Sequence, residues 1–77
     1  MKDQIISILT NLRPEFDFTQ EGIDFIEEGM LDSFDVVSLV SDLDAAFGIS
    51  IDGVDILPEN FATVESIAQL LKKNGAK

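Results

Sequence analysis

This chain contains no cysteine, histidine, tryptophan or tyrosine in its 77 residues. The absence of Cys excludes a disulfide scaffold and a thiolate nucleophile. Without Cys or His a zinc site has no practical ligand set. A Ser-His-Asp arrangement fails as well, because no side chain stands ready to take the serine proton. There is no Gly-x-x-x-x-Gly-Lys phosphate cradle. No apolar run approaches the ~20 residues that a membrane-spanning helix needs. The opening residues lack the basic head, long apolar stretch and small-residue cleavage site of a signal peptide. A cytoplasmic protein with no membrane insertion is therefore expected.

Positive charge is scarce. Lys and Arg total 5, at positions 2, 13, 72, 73 and 77, and the net charge is −10. Of the 15 acids, all but Asp3 lie between Pro14 and Leu71, a stretch without a single base. Such a surface repels nucleic-acid phosphates and anionic lipid. It attracts proteins that carry basic patches and speeds encounter with them. Paired carboxylates are plentiful, so composition alone leaves a glycosidase-like acid and base open as a distant reading. Glu27-Glu28 and the pair Asp42 and Asp44 sit on a predicted loop and helix surface, with no cleft to shift their titration. The run Asp42-Leu43-Asp44-Ala45-Ala46-Phe47-Gly48 does not fit an EF-hand loop, which needs acids at alternate positions and Gly at the sixth. The chain does not read as an enzyme.

Hydrophobic residues make up 45% of the sequence, which suits a globular protein. The length predicts one domain spanning residues 1–77. A chain this short buries only about 60% of its unfolded surface. The patterning is all-α. Ile5, Ile8, Leu9 and Leu12 repeat at helical spacing over about Asp3 to Leu12, and Pro14 ends that helix. A long connection follows from Arg13 to Leu31, anchored by Phe16, Phe18, Ile23, Phe25, Ile26, Met30 and Leu31, with one helical turn expected near Ile23–Glu27. A second helix is predicted from Ser33 to Phe47, with Gly48 just past its end. Val36, Leu39, Val40, Leu43 and Phe47 form its core stripe. Pro58 suits the start of a short helix through about Phe61. Thr63 caps a last helix with Val64, Ile67, Ala68 and Leu71 buried, and Lys72 and Lys73 complement its C-terminal dipole. The predicted fold is a small four-helix bundle, three longer helices and one short, with a long first loop.

Among so few reactive side chains, Ser33 stands out. Asp32 is a good N-cap and Asp35 three positions later resembles a capping box. Ser33 is then the first helical residue, and its hydroxyl is not needed for capping. Helix N-termini stabilise negative charge, so a phosphate attached there is favoured. Phe34, Ser38, Ser41 and Ala45 lie opposite the core stripe with Val37 on its flank. A large apolar side chain at Phe34 awaits either a covering loop or a partner.

Glu28-Gly29-Met30-Leu31-Asp32-Ser33-Phe34 resembles the Asp-Ser-Leu box of the acyl carrier and peptidyl carrier protein family, with its upstream Gly. The resemblance continues through Leu39-Val40, Leu43 and Phe47-Gly48-Ile49, and then through Phe61-Ala62-Thr63-Val64 with Ile67 and Leu71. It covers nearly the whole chain. It implies an acyl-carrier-like bundle carrying 4′-phosphopantetheine on Ser33, installed from coenzyme A by a phosphopantetheinyl transferase that uses magnesium. Asp32 maps onto the family's acid that helps hold that metal. The arm's thiol would carry acyl or aminoacyl groups as thioesters, loaded by an adenylating ligase and passed to a downstream acyltransferase or synthase. Phe34, Asp35, Val37, Ser38 and Ser41 are the expected partner-binding residues, and a monomer is expected. Two departures mark the subclass. Ser38, Ser41 and Ala45 stand where fatty-acid carriers usually show acids, and Phe34 follows the serine in place of Leu. The second, together with the run from Glu27-Glu28 to Ser33-Phe34, looks closer to stand-alone aminoacyl carriers such as D-alanyl carrier proteins. The alternative for the same residues is a non-covalent acidic helical adaptor that binds a basic protein partner.

Overall fold

The computed structural model describes residues 1–76. Three α-helices, α1 (Lys2–Leu12), α2 (Ser33–Phe47) and α3 (Val64–Lys73), are joined by a long first connection and by two short 3₁₀ turns, Gly53–Asp55 and Pro58–Phe61. The short fourth helix of the predicted bundle is the Pro58–Phe61 turn, only one turn long because Pro58 starts it and Thr63 already caps α3. No strand occurs among the described residues, and no helix among them is long and apolar enough to cross a membrane.

α1 packs against both α2 and α3, and the second 3₁₀ turn rests on α3. Ile5 and Leu9 of α1 meet Val36, Leu39 and Leu43 of α2 and Ile67, Leu70 and Leu71 of α3 in one core. Ile8, Leu12, Val40 and Phe47 are only half-buried at its edge. Leu70, beside the expected stripe of α3, is buried with it.

The connection between α1 and α2 is fastened rather than loose. Phe18 and Phe25 are fully buried and meet edge-to-face with ring centroids 5.0 Å apart. The Asp24 carboxylate accepts from the Ile26 and Glu27 amides, and Glu28 N–H donates to the Asp24 carbonyl. The helical turn expected near Ile23–Glu27 is thus closed between Asp24 and Glu28. Gly29 follows at φ 73°, a left-handed conformation that costs Gly little. The chain reverses there, and the Met30 and Leu31 amides both donate to the Phe25 carbonyl at 2.9 and 3.2 Å. Phe25 N–H in turn reaches the Ala62 carbonyl at 2.7 Å. Met30 and Leu31 are buried, so the residues just before α2 are fixed on the core.

Candidate functional site

α2 begins with a reciprocal pair of hydrogen bonds. The Asp35 amide donates to Asp32 Oδ1 at 2.9 Å, and the Asp32 amide donates to Asp35 Oδ2 at 3.0 Å. This is a capping box built from two aspartates, which satisfies two of the amides a helix start leaves open. Ser33 and Phe34 lie between them at the first two helical positions. Both are exposed. Among the described residues nothing bonds the Ser33 hydroxyl, because Asp32 supplies the cap. The free hydroxyl and the open amides of this first turn suit an esterified, negatively charged phosphate. The residues present therefore fit a covalent phosphate-linked arm.

The Asp35 carboxylate is turned in against Arg13 at the end of α1. The residue is 8% exposed, and its Oδ2 also accepts from Arg13 Nε at 2.9 Å and lies 2.8 Å from Arg13 Nη2. Asp35 precedes Leu39 by one helical turn, which puts it over the core-facing side. Burial pushes its carboxyl upward. The hydrogen bonds from Arg13 and the Asp32 amide, with the Arg13 charge, outweigh that and hold it below the ordinary carboxylate range. Arg13 is raised in turn, first by its hydrogen bond to Asp35 and then by that carboxylate's charge.

The other expected partner residues lie in the open. Phe34 is 82% exposed and Val37 68%, and Ser38, Ser41 and Ala45 are exposed as well. No loop covers Phe34. Together these residues form one uncharged stripe along α2. Val54, 74% exposed, and Leu57 add a second exposed apolar group around the first 3₁₀ turn. Sequence reasoning missed this group, although apolar residues flanking an Asp-Gly turn were a usable signal. Arg13 was missed as well; its signal was being the lone base directly ahead of the acidic stretch.

A cleft lies away from this turn. It has a volume of about 550 Å³, runs between the starts of α1 and α3 past Ile6, Phe18 and Val64, and is lined by none of residues 32–41. The Lys2–Glu65 ion pair, 3.5 Å, stands at its rim between two exposed side chains, so it contributes little. Among the described residues no three acids gather as a metal-holding group.

The profile of a family described as "Phosphopantetheine attachment site" matches residues 4–71. The D-alanyl carrier proteins of Lactococcus lactis subsp. cremoris (strain MG1363) and Lactococcus lactis subsp. lactis (strain IL1403) are each 33% identical to this chain over 69 residues, covering 88% of it and 87% of their own length. No solved structure gives a significant match.

Proposed function

This chain belongs to the phosphopantetheine attachment-site family, and from that membership we propose that Ser33 is the residue bearing the arm. The family's role is that of a carrier, not an enzyme, with 4′-phosphopantetheine covalently held. The observation that carries the assignment is the exposed hydroxyl at the first position of α2, left unbonded by a capping box that uses Asp32 and Asp35 instead.

In loading, the Ser33 oxygen forms a bond to the phosphorus that bears the pantetheine half of coenzyme A. The bond from that phosphorus to the nucleotide half breaks, and the serine proton passes to the transferase. When bound, the group supplies a terminal thiol on which acyl groups ride as thioesters. The chain's own residues position it: Asp32 and Asp35 fix the turn, Asp32 keeps an exposed carboxylate for the transferase's magnesium, and α2 offers its uncharged stripe. Tethering raises the cargo's local concentration at each partner enzyme.

The cargo is an aminoacyl group of the D-alanyl type, activated by an adenylating ligase and handed to a downstream acyltransferase or synthase. The names of the relatives support this choice, as does the stripe of Phe34, Val37, Ser38 and Ser41 in place of an acidic one. The protein works as a cytoplasmic monomer.

The polypeptide has no thiol of its own, which makes the test simple. Incubation with coenzyme A, magnesium and a broad-specificity phosphopantetheinyl transferase should create one titratable thiol and raise the mass by one arm. Ser33→Ala should abolish both while keeping the helical spectrum. Attachment elsewhere, or none, overturns the assignment. Partner binding that is equal with and without Ser33 would point to a non-covalent adaptor.

A further inference from the structure

Among the described residues, two buried carboxylates are each met by a single base from a distant part of the chain. Asp55, in the first 3₁₀ turn, lies 2.6 Å from Lys73 Nζ at the end of α3. Asp35, in the first turn of α2, is gripped by Arg13 at the end of α1. The first pair fastens a loop. The second fastens the turn that presents Ser33, and its geometry is richer. Arg13 Nε and Nη2 both reach Asp35 Oδ2, at 2.9 and 2.8 Å, while Nη2 lies 3.6 Å from Asp32 Oδ2 and Nη1 lies 3.4 Å from Glu15 Oε2. One planar guanidinium thus touches both members of the capping box, a fit that a lysine ammonium cannot reproduce. Arg13 is the only base between Lys2 and Lys72.

We propose that Arg13 is the positioning residue for loading at Ser33: it locks the Asp32–Asp35 turn to the end of α1 and so holds the serine oxygen in one orientation for the transferase. This rests on the assignment of Ser33 above. The physical reason is entropic. A nucleophile on a wandering turn spends less time in the productive geometry, and small misplacements cost rate. Docking through the exposed stripe of α2 does not involve Arg13, so its loss should act on turnover rather than on binding.

The test compares Arg13→Lys with Lys73→Met in the full chain, using coenzyme A, magnesium and a broad-specificity transferase. Each variant disturbs one pair of base and buried carboxylate, and melting temperatures match them for general destabilisation. Arg13→Lys should lower kcat for loading about tenfold, with KM for the carrier within twofold. The Asp32 and Asp35 amides should exchange faster with solvent in this variant alone. Lys73→Met should load as the parent does. Should Arg13→Lys fail to fold, the Arg13→Gln/Asp35→Asn pair, which removes both charges together, takes its place against the same readouts. Equal kcat in the parent and the Arg13 variant overturns the proposal, as does a loss carried wholly by KM or shared by Lys73→Met. A parent that accepts no arm overturns the Ser33 assignment instead, so the two failures are distinct.

Discussion

α2 and α3 open with the same hydrogen-bonding device, yet their first residues meet opposite fates. In α3 the Ser66 amide donates to Thr63 Oγ1 at 3.0 Å and the Thr63 amide to Ser66 Oγ at 3.1 Å. That box is neutral and local, and its first helical residue, Val64, is buried. The α2 box is made of two carboxylates, one of them buried, and a guanidinium from the end of α1 meets the buried one. Its first two residues, Ser33 and Phe34, are exposed. A helix that only has to start can use hydroxyls and fasten itself through Val64. A helix that must present its first residue gives up that apolar anchor, and the aspartates with Arg13 hold the turn in its place. The cap motif alone therefore does not mark a functional helix start; the exposure of the residue behind it does.

The largest expected effect comes from moving the serine to the other box. In the double variant Ser33→Ala/Val64→Ser, the hydroxyl sits at the first position of α3, behind an intact capping box. It should accept no arm, because that position faces the core and the surrounding stripe is absent. The lost burial of Val64 should cost about 2 kcal/mol, measurable by urea unfolding. A thiol appearing on residue 64 would break the comparison, since cap geometry would then suffice.

A smaller effect separates the boxes by their chemistry. Thr63→Ala should cost about 1 kcal/mol, the same at neutral and acid pH, because hydroxyls do not titrate there. Asp35→Asn should cost about 1.5 kcal/mol near neutrality, and that cost should shrink in acid. The sign follows from the Asp35 carboxyl titrating below its ordinary value in the fold. The unfolded chain takes up its proton first, near pH ~3.9. Below that point the unfolded state binds more protons than the folded one, so stability falls as pH falls. The contribution is fully present above the unfolded value and is lost as pH drops through the folded one. The substituted amide side chain cannot titrate, so the gap between parent and variant should narrow as pH falls through and below the ordinary carboxylate range. Parallel pH curves would show that the two boxes do not differ in this way.

The bounds of α2 were legible because its signals are local. Asp32 caps the helix, the stripe from Val36 to Leu43 sets its period, and Gly48 at φ 64° ends it with its amide on the Asp44 carbonyl. The serine's exposure followed from the same period. What the sequence concealed depends on distant partners. The path from Arg13 to Leu31 is set by the Phe25 carbonyl and by the reach of Phe25 N–H to Ala62, and neither leaves a periodic trace. Arg13 meets a carboxylate 22 residues away. Asp35 shows the same limit: its place one turn before Leu39 turns it inward, and the base that meets it there comes from the end of α1.

The smallest effect on stability concerns the second helical position, and its sign is diagnostic. Phe34 is 82% exposed, while its counterpart in α3 is the charged and also exposed Glu65. An exposed aromatic side chain adds little burial and loses rotamer freedom against the helix. Ala has the better helix propensity by about 0.5 kcal/mol. Phe34→Ala should therefore leave stability unchanged or raise it by up to about 0.5 kcal/mol, read by urea unfolding. The same variant should weaken loading by the adenylating ligase, because the apolar part of the α2 stripe is what distinguishes this start from that of α3. A loss of about 3 kcal/mol or more would mean that Phe34 is core after all. Unchanged ligase kinetics would remove it from the docking face and leave Val37, Ser38 and Ser41 to carry that contact.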